Sequence, residues 1–323
     1  MSYIYKGLRI LLENEKSISS QVLMIESKSV YPKQSTCIPT YTLMAKVCKR
    51  MLRSLKYLLL DLYYFVKSFL FMLSHEKKRL AVLFVYADNK RYPKAYRCLC
   101  RLIRRIRGFE VTVVKIDNFN EGKEVTKEGY NVYDIGGDNS YWEFSGWRKG
   151  LTFLDEIGIE ADVVLFVNDS FLNRSKSGYD LGYYKNRINT FSLFNLKDEA
   201  LGKVDYHDES EIFSGNDVSS WIRSNIFAVA KNVVDKLDFP FMDNKTIDII
   251  FPKKFSGNIF KDTDLLNSNL KRFMKIWINS RWARAEPGSA KNWPLLRCKL
   301  IAILNERLLT SSLRRENAKI YLI

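Results

Sequence analysis

Three short polar clusters hold the side chains of this sequence that are best suited to chemistry. They are Asp88–Asn89, the segment from Gly136 to Ser140, and Asn168–Asp169–Ser170. Carboxylate and amide oxygens are hard ligands that suit Mg²⁺ or Mn²⁺, and they also accept hydrogen bonds from ribose hydroxyls. Each cluster can therefore bind a hydrated divalent cation or a ribose. The alternative is structural, because Asp and Ser at such positions often cap the element that follows.

The segments before these clusters predict the elements that position them. LAVLFVY (Leu80–Tyr86) and ADVVLFV (Ala161–Val167) are apolar runs typical of buried parallel strands, and FEVTVVKI and NVYDI predict two more. Helices are predicted from Pro93 to Gly108 and from Glu143 to Gly158. This alternation predicts an α/β fold, a mostly parallel sheet flanked by helices. Ligands bind beyond the carboxyl ends of strands in such sheets, so we expect the three clusters to lie along one edge.

Several enzyme classes are disfavoured by what the sequence lacks. It contains no GxxxxGK[ST], GxGxxG or GxSxG motif, which disfavours P-loop kinases, nicotinamide-dependent dehydrogenases and α/β-hydrolases. His75 and His207 are the only histidines, so a His-rich metal site is excluded. The five cysteines show no zinc-type pairing and predict reduced thiols in a cytosolic setting.

Charge is distributed unevenly along the 323 residues, whose net charge is +16. The first 110 residues carry a net +15, residues 111–250 carry −9, and residues 251–323 carry +10. Two basic ends around an acidic middle indicate an anionic partner, either nucleic acid or an anionic membrane surface. A composition of 46% hydrophobic and 27% charged residues excludes a wholly disordered chain and a polytopic membrane protein.

The segment from Ala45 to Arg79 favours the membrane surface. Its polar residues, many of them Lys and Arg, keep returning to one side of a helix whose other side is Leu, Phe, Met and Val. The most apolar stretch, Tyr57–Leu73, is at the short limit for a span and contains Asp61 and Lys67. With no signal peptide apparent, we expect a cytoplasmic protein that is peripheral on the inner face of the plasma membrane. The alternatives are a helix packed on the protein's own core and, less favoured because of the two charges, a membrane span.

Two of these segments together resemble a known family. GGDNSYWEFSGWRKGL followed by ADVVLFVNDSF is similar to bacterial polysaccharide-biosynthesis glycosyltransferases of the rhamnan-synthesis F type. The resemblance covers about residues 80–240. The matching positions are Asn139, Glu143, Phe144, Gly150, Leu151, Asn168, Asp169 and Ser170.

The resemblance implies a GT-A-like, Rossmann-like fold and a sugar transfer. The sugar would pass from a nucleotide-sugar donor to a lipid-linked glycan, in the biosynthesis of O-antigen, capsule or rhamnan-type polysaccharide. Asn168–Asp169–Ser170 stands where related enzymes have Asp-x-Asp. Asp169 is therefore expected to hold a divalent cation, Mn²⁺ or Mg²⁺, or to hydrogen-bond the donor directly, with Asn168 and Ser170 in support.

The remaining site residues are expected around the same donor. Asp88 and Asn89 are placed on the nucleotide side, Asp138 and Asn139 at the ribose or base, and Glu143 in the donor site through the resemblance. An inverting transfer also needs a carboxylate base at the acceptor hydroxyl. The run HDESEIFSGND offers four acidic residues, of which we choose Asp217, just before SSWIRS.

The expected organisation has three parts. Residues 1–79 form an N-terminal extension with the amphipathic helix, residues 80–260 the catalytic core, and residues 261–323 a basic helical region. One alternative is a membrane-attached scaffold without catalysis, since Asn168 replaces the first Asp of Asp-x-Asp. A nucleic-acid-binding protein is less favoured, because nucleic acid does not require an apolar helix face, and we expect no nucleic-acid partner.

Overall fold

The computed structural model describes residues 66, 76–87, 92–172, 184, 187–278 and 293–322. All of them belong to one compact unit, Leu58–Ile323. Most of the predicted amphipathic helix lies outside the described residues, as do Cys37 and Cys48. Its last two residues do not continue that helix, because Lys78 and Arg79 begin the first strand.

The described chain alternates strands and helices through its first half, as the sequence pattern predicts. Cys98, Cys100 and Cys298 are free thiols. Among the described residues, every helix is too short or too polar to cross a membrane. The strands are β1 (Lys78–Tyr86), β2 (Phe109–Asp117), β3 (Thr126–Lys127), β4 (Val132–Gly136), β5 (Ser140–Trp142), β6 (Val163–Asn168), β7 (Glu199–Tyr206), β8 (Ile212–Phe213), β9 (Asn216–Asp217), β10 (Ser220–Ala230) and β11 (Lys319–Leu322). The helices are α1 (Ala95–Ile103), α2 (Glu143–Glu156), α3 (Thr190–Phe194), α4 (Lys231–Val234), α5 (Asn244–Ile250), α6 (Ser268–Ile278) and α7 (Trp293–Arg315).

Eight strands form one sheet in the order β11-β7-β10-β6-β1-β2-β4-β3. The central strands β6, β1, β2 and β4 run parallel, which confirms the predicted α/β class. β10 runs antiparallel to β6 and to β7. The apolar run of β10 predicts a buried strand, but burial alone does not encode the direction of a strand.

The order of the strands reverses at β1. From β1 the chain goes to β2 and β4 on one side, and it then returns to β6 on the other side. β1 and β6 are parallel neighbours, and Val85 pairs with Asn168 at their carboxyl ends. Such a reversal is the place where open α/β sheets bind ligands. It places Ala87 beside the Asn168–Asp169 pair.

Two glycines bring α2 unusually close to the sheet. A Cβ atom at Gly146 would lie 2.8 Å from a methyl group of Val85, and one at Gly150 would lie 3.1 Å from Leu83 and from Ile116. Because the two glycines are four residues apart, they face the sheet together. The first residue of α2, Glu143, is thereby brought to the carboxyl edge of β1 and β6.

The last helix, α7, is bonded to β10 through its side chains. The pairing of β10 with β7 shifts register between Ile222 and Phe227. In this irregular stretch the Ile222 amide donates to Thr310 Oγ1 at 2.7 Å, and the Ser224 amide donates to Glu306 Oε1 at 2.5 Å. Backbone donors that a bulge removes from the ladder are thus satisfied by one helix face.

Candidate functional site

Asp169 joins the ends of the two strands at the reversal point. It follows β6 directly and opens a short 3₁₀ turn, Asp169–Leu172. Its side chain is buried, and Oδ2 accepts a hydrogen bond from the Ala87 amide at 2.9 Å. A buried carboxylate is therefore held at the point where this class of sheet binds its ligand.

Asn168 orients this turn through both the oxygen and the nitrogen of its side-chain amide. Its Oδ1 accepts from the Ser170 amide at 3.1 Å and from the Ser170 hydroxyl at 2.7 Å. Its Nδ2 donates to Glu143 Oε1 at 3.4 Å and to the Ser224 carbonyl at 3.3 Å. The capping role that was the structural alternative is thus present, and it is the means by which Asp169 is positioned.

Glu143 brings a second buried carboxyl group to the same place. Its side chain lies at the first turn of α2, and the residue is 7% exposed. Burial raises the pKa of Glu143 to about 7; a hydrogen bond from Ser224 opposes the shift, while the negative charges of Glu306 and Asp169 add to it. Glu143 therefore exchanges its proton near neutral pH, as groups at functional sites often do.

Asp138 and Asn139 lie in the tight turn that enters α2. Asn118 Nδ2 donates to Asn139 Oδ1 and to the Trp142 carbonyl, both at 2.8 Å. The backbone φ angles of Asn139 and Trp142 are 51° and 57°, in the left-handed region that residues other than glycine seldom adopt. This turn ends at Glu143, so the cluster from Gly136 to Ser140 and the cluster Asn168–Asp169–Ser170 meet at the start of α2.

The carboxylate of Asp138 is kept ionised. Burial acts to raise its pKa, but hydrogen bonds from the Ser140 amide and from the hydroxyls of Ser145 and Ser140 outweigh burial, and Arg148 adds to them. The net effect lowers the pKa of Asp138, and Oδ1 accepts from the Ser140 amide and hydroxyl at 2.9 Å each. An ionised carboxylate is a good acceptor for ribose hydroxyls.

The predicted residues are only partly brought together. Glu143, Asn168, Asp169 and Ser170 form one connected group, and the turn of Asp138 and Asn139 leads into it. Asp88 and Asn89 lie outside the described residues, which stop at Ala87 on this side. Their assignment to the nucleotide stays a prediction.

Asp217 lies apart from this group. It is exposed on the β8–β9 hairpin, and its Oδ1 accepts from the Ser219 amide at 2.9 Å and the Ser219 hydroxyl at 2.5 Å. These bonds lower the pKa of Asp217. The β10 residue that touches Asn168 is Ser224, seven residues further along the chain. The role of Asp217 as the base stays a prediction.

Three residues of the site escape sequence reasoning. Asn118 follows β2 in an Asp117–Asn118 pair, the same signal that marks the other clusters, so it could have been found. Ser224 lies in the SSWIRS segment, but it joins the site through its backbone carbonyl and amide, which no side-chain motif reveals. Glu306 carries no signal of its own, because it is a single acidic residue in a helix far along the chain.

The donor set suits one mode of cation binding. Mg²⁺ in nucleotide sites keeps several waters and is held by one or two carboxylates and by substrate phosphates. Asp169 offers such a carboxylate. In the described part of the chain, no group of three or more His, Cys, Asp or Glu side chains is arranged to hold a metal ion. Asp169 therefore fits a cation that is bound together with a diphosphate.

Comparison with known proteins gives distant structural similarity. No family model matches the chain, and no curated protein sequence matches it. Three chains of solved structures match, among them the mannosyltransferase PcManGT from Pyrobaculum calidifontis in complex with GDP-Man and Mn²⁺. Its identity is 9%, over 80% of this chain and 82% of that chain, and the TM-score is 0.31. A likeness at this level assigns neither family nor function, so the resemblance to the rhamnan-synthesis F type stays a prediction from the motifs.

Proposed function

We propose that this protein is a glycosyltransferase. It moves a sugar from a nucleotide-sugar donor to a lipid-linked glycan acceptor in the biosynthesis of a bacterial cell-surface polysaccharide. One observation carries the proposal: the buried Asp169 carboxylate bridges the ends of β1 and β6 at the reversal point of an α/β sheet. Nucleotides bind at such points in other proteins of this architecture.

The donor diphosphate is assigned to the edge formed by Asp169. Asp169 holds the cation of the donor or accepts a hydrogen bond from the donor itself, while Asn168 and Ser170 fix the turn that aims it. When bound, Mn²⁺ or Mg²⁺ neutralises charge on the departing diphosphate. The buried position of Asp169 strengthens this attraction, because charges interact more strongly away from water.

The nucleoside is assigned to the turn before α2. The ionised Asp138 and the amide of Asn139 are suited to ribose hydroxyls or to polar atoms of the base. Asp88 and Asn89, which follow β1, are assigned to the nucleotide from the other side of the reversal point. Glu143 completes the donor site at the start of α2.

The acceptor and the membrane are assigned to the basic parts of the chain. The net charge is +15 over residues 1–110 and +10 over residues 251–323, which suits an anionic surface that carries a lipid-linked glycan. On α6, Lys271, Arg272 and Lys275 lie along an open, shallow surface together with Ile276, which is 63% exposed. The proposed location is the inner face of the plasma membrane.

A scaffold without catalysis is the second candidate. Its support is Asn168, whose amide is occupied in the turn where Asp-x-Asp enzymes have a carboxylate. A scaffold binds membranes and binds no nucleotide, so the two candidates differ in a measurable property.

The test is release of nucleoside diphosphate from UDP-glucose, GDP-mannose and dTDP-rhamnose in the presence of Mn²⁺, with water as the acceptor. We expect the whole chain to release the diphosphate from one of these donors, and Asp169→Asn to lose that release. Asp155→Asn is the matched control, because Asp155 is exposed further along α2. Release that is equal in the wild type and in Asp169→Asn would refute the assignment of Asp169. No release from any donor by the folded protein would favour the scaffold.

A further inference from the structure

Helix α7 brings one more carboxylate to the candidate site. Glu306 Oε1 accepts the hydrogen bond of the Ser224 amide at 2.5 Å, and the Ser224 carbonyl accepts from Asn168 Nδ2 at 3.3 Å. Ser224 of β10 therefore links Glu306 to Asn168, the residue whose side chain positions Asp169. The negative charge of Glu306 also raises the pKa of Glu143 across this residue.

The charged groups around Glu306 come from four elements. Glu143 from α2 and Asp205 from β7 face it with like charge, and Arg307 from its own helix faces it with opposite charge. Asp205 is itself paired with Lys203 of β7 and with Arg223 of β10. Arg307 is engaged elsewhere, because it pairs with the buried Glu211 and donates to the Val218 carbonyl at 2.7 Å. A carboxylate in a partly buried place is costly to keep.

Holding the irregular part of β10 does not require a carboxylate. One turn further along α7, Thr310 accepts the Ile222 amide at 2.7 Å with a neutral hydroxyl group. Both side chains accept a hydrogen bond from a backbone amide of β10 on the same helix face, and only Glu306 is ionisable. Satisfaction of the Ser224 amide therefore does not explain the charge at position 306.

We propose that Glu306 is the general base that accepts the proton of the acceptor hydroxyl. This inference rests on the proposed glycosyltransferase function. In the transfer, the acceptor O–H bond breaks and its proton passes to the Glu306 carboxylate. The acceptor oxygen forms a bond to the anomeric carbon of the donor as the bond from that carbon to the diphosphate breaks. The nucleoside diphosphate leaves with that electron pair, and Glu306 later returns its proton to water.

The environment of Glu306 suits this role. Burial raises its pKa, against the opposing effects of the hydrogen bonds from Ser224 and the charge of Arg307. A base whose pKa is closer to the working pH takes a proton more effectively than an ordinary carboxylate does. Glu306 and Asp217 are thus two candidates for the general base, and substitutions of each can be compared directly.

The experiment measures donor hydrolysis against pH in wild type, Glu306→Gln, Asp217→Asn and Thr310→Val. The probe is the nucleotide sugar that the wild type hydrolyses among UDP-glucose, GDP-mannose and dTDP-rhamnose, and binding of the matching nucleoside diphosphate is measured in parallel. Gln keeps the oxygen that accepts the Ser224 amide. We expect Glu306→Gln to bind the diphosphate within about threefold of wild type. Its kcat should fall by about 100-fold or more, and the acidic limb of its pH profile should disappear.

Thr310→Val is the structural control. It removes an amide acceptor from the same helix face without removing a carboxylate, and we expect it to keep the pH profile of the wild type. A Glu306→Gln variant with wild-type kcat and pH profile would overturn the inference alone, as would loss of the acidic limb in Asp217→Asn instead. A wild-type chain that binds no nucleotide would overturn the proposed function, and this inference with it.

Discussion

The ionised form of Glu143 is destabilised by burial and by the negative charge of Asp169. In the folded chain, burial raises its pKa from the ordinary 4.5 to about 7. The folded state therefore binds this proton more tightly than the unfolded state does. The resulting stability is fully present below about pH 4.5 and is lost as the pH rises through about 7.

Replacing this carboxyl group should remove the pH dependence. We expect Glu143→Gln to leave the free energy of unfolding little changed at pH 4.5. At pH 8 the variant should be more stable than wild type by up to about 3 kcal/mol. Urea denaturation at the two pH values, in EDTA, measures both numbers. Glu156→Gln, at the exposed end of the same helix, is the control, and equal pH dependence of wild type and Glu143→Gln would disprove the argument.

Single residues of the site differ in how far the sequence predicts them. Asp169 and Asn168 are predictable because an apolar strand that ends in polar residues must deliver them to the carboxyl edge of the sheet. The sequence does not decide between a cap and a site, and the structure shows Asn168 capping the turn that holds Asp169. Glu306 is not predictable, because its neighbours come from β10 and α2, and no local pattern encodes that contact.

At the scale of elements, the strands and helices of the parallel part are predicted nearly in full. β1, β2, β4, α2 and β6 lie within a few residues of their expected positions. The short strand β3, the terminal strand β11, the eight-residue strand β7 and the direction of β10 are not predicted. Two-residue and four-residue strands carry too little periodicity, β7 mixes charged residues and a glycine among its apolar ones, and strand direction depends on tertiary pairing.

The approach of α2 to β1 is the contact between elements that positions Glu143. We expect Gly146→Ala to lower the free energy of unfolding by about 1–3 kcal/mol, because the added Cβ would lie 2.8 Å from Val85. Gly122→Ala is the matched control, since a Cβ there meets no atom within 4 Å. Urea denaturation of both variants is the measurement, and equal stabilities would show that α2 can move away at little cost.

Across the whole molecule, the candidate site and most of the positive charge lie in different parts of the sequence. The site is built from residues of the acidic middle and from α7, whereas most of the positive charge lies at the two ends. Helix α7 of the basic C-terminal region packs against β10, and its Leu300, Leu304 and Leu309 side chains are buried. The division into residues 1–79, 80–260 and 261–323 stays a prediction.

A shortened chain tests the proposed membrane attachment. A protein that begins at Glu76 keeps all of β1, and we expect it to fold and to bind nucleotide like the whole chain. Its sedimentation with vesicles that contain anionic lipid should fall strongly, because the basic, amphipathic segment is gone. Vesicles of neutral lipid are the control. Undiminished sedimentation of the shortened chain would contradict attachment through residues 45–75.

If Asp169 forms part of a nucleotide-sugar site, the matching nucleotide stabilises the folded protein through Asp169, and thermal unfolding measures that effect. The whole chain and Asp169→Ala are melted with UDP, GDP, dTDP or CMP, each with and without Mn²⁺. A ligand at about 100 times its Kd adds roughly 2.7 kcal/mol, which raises the Tm by several degrees. We predict such a rise with one nucleotide for the wild type and none for Asp169→Ala. A folded wild-type protein whose Tm rises with none of them would contradict the account.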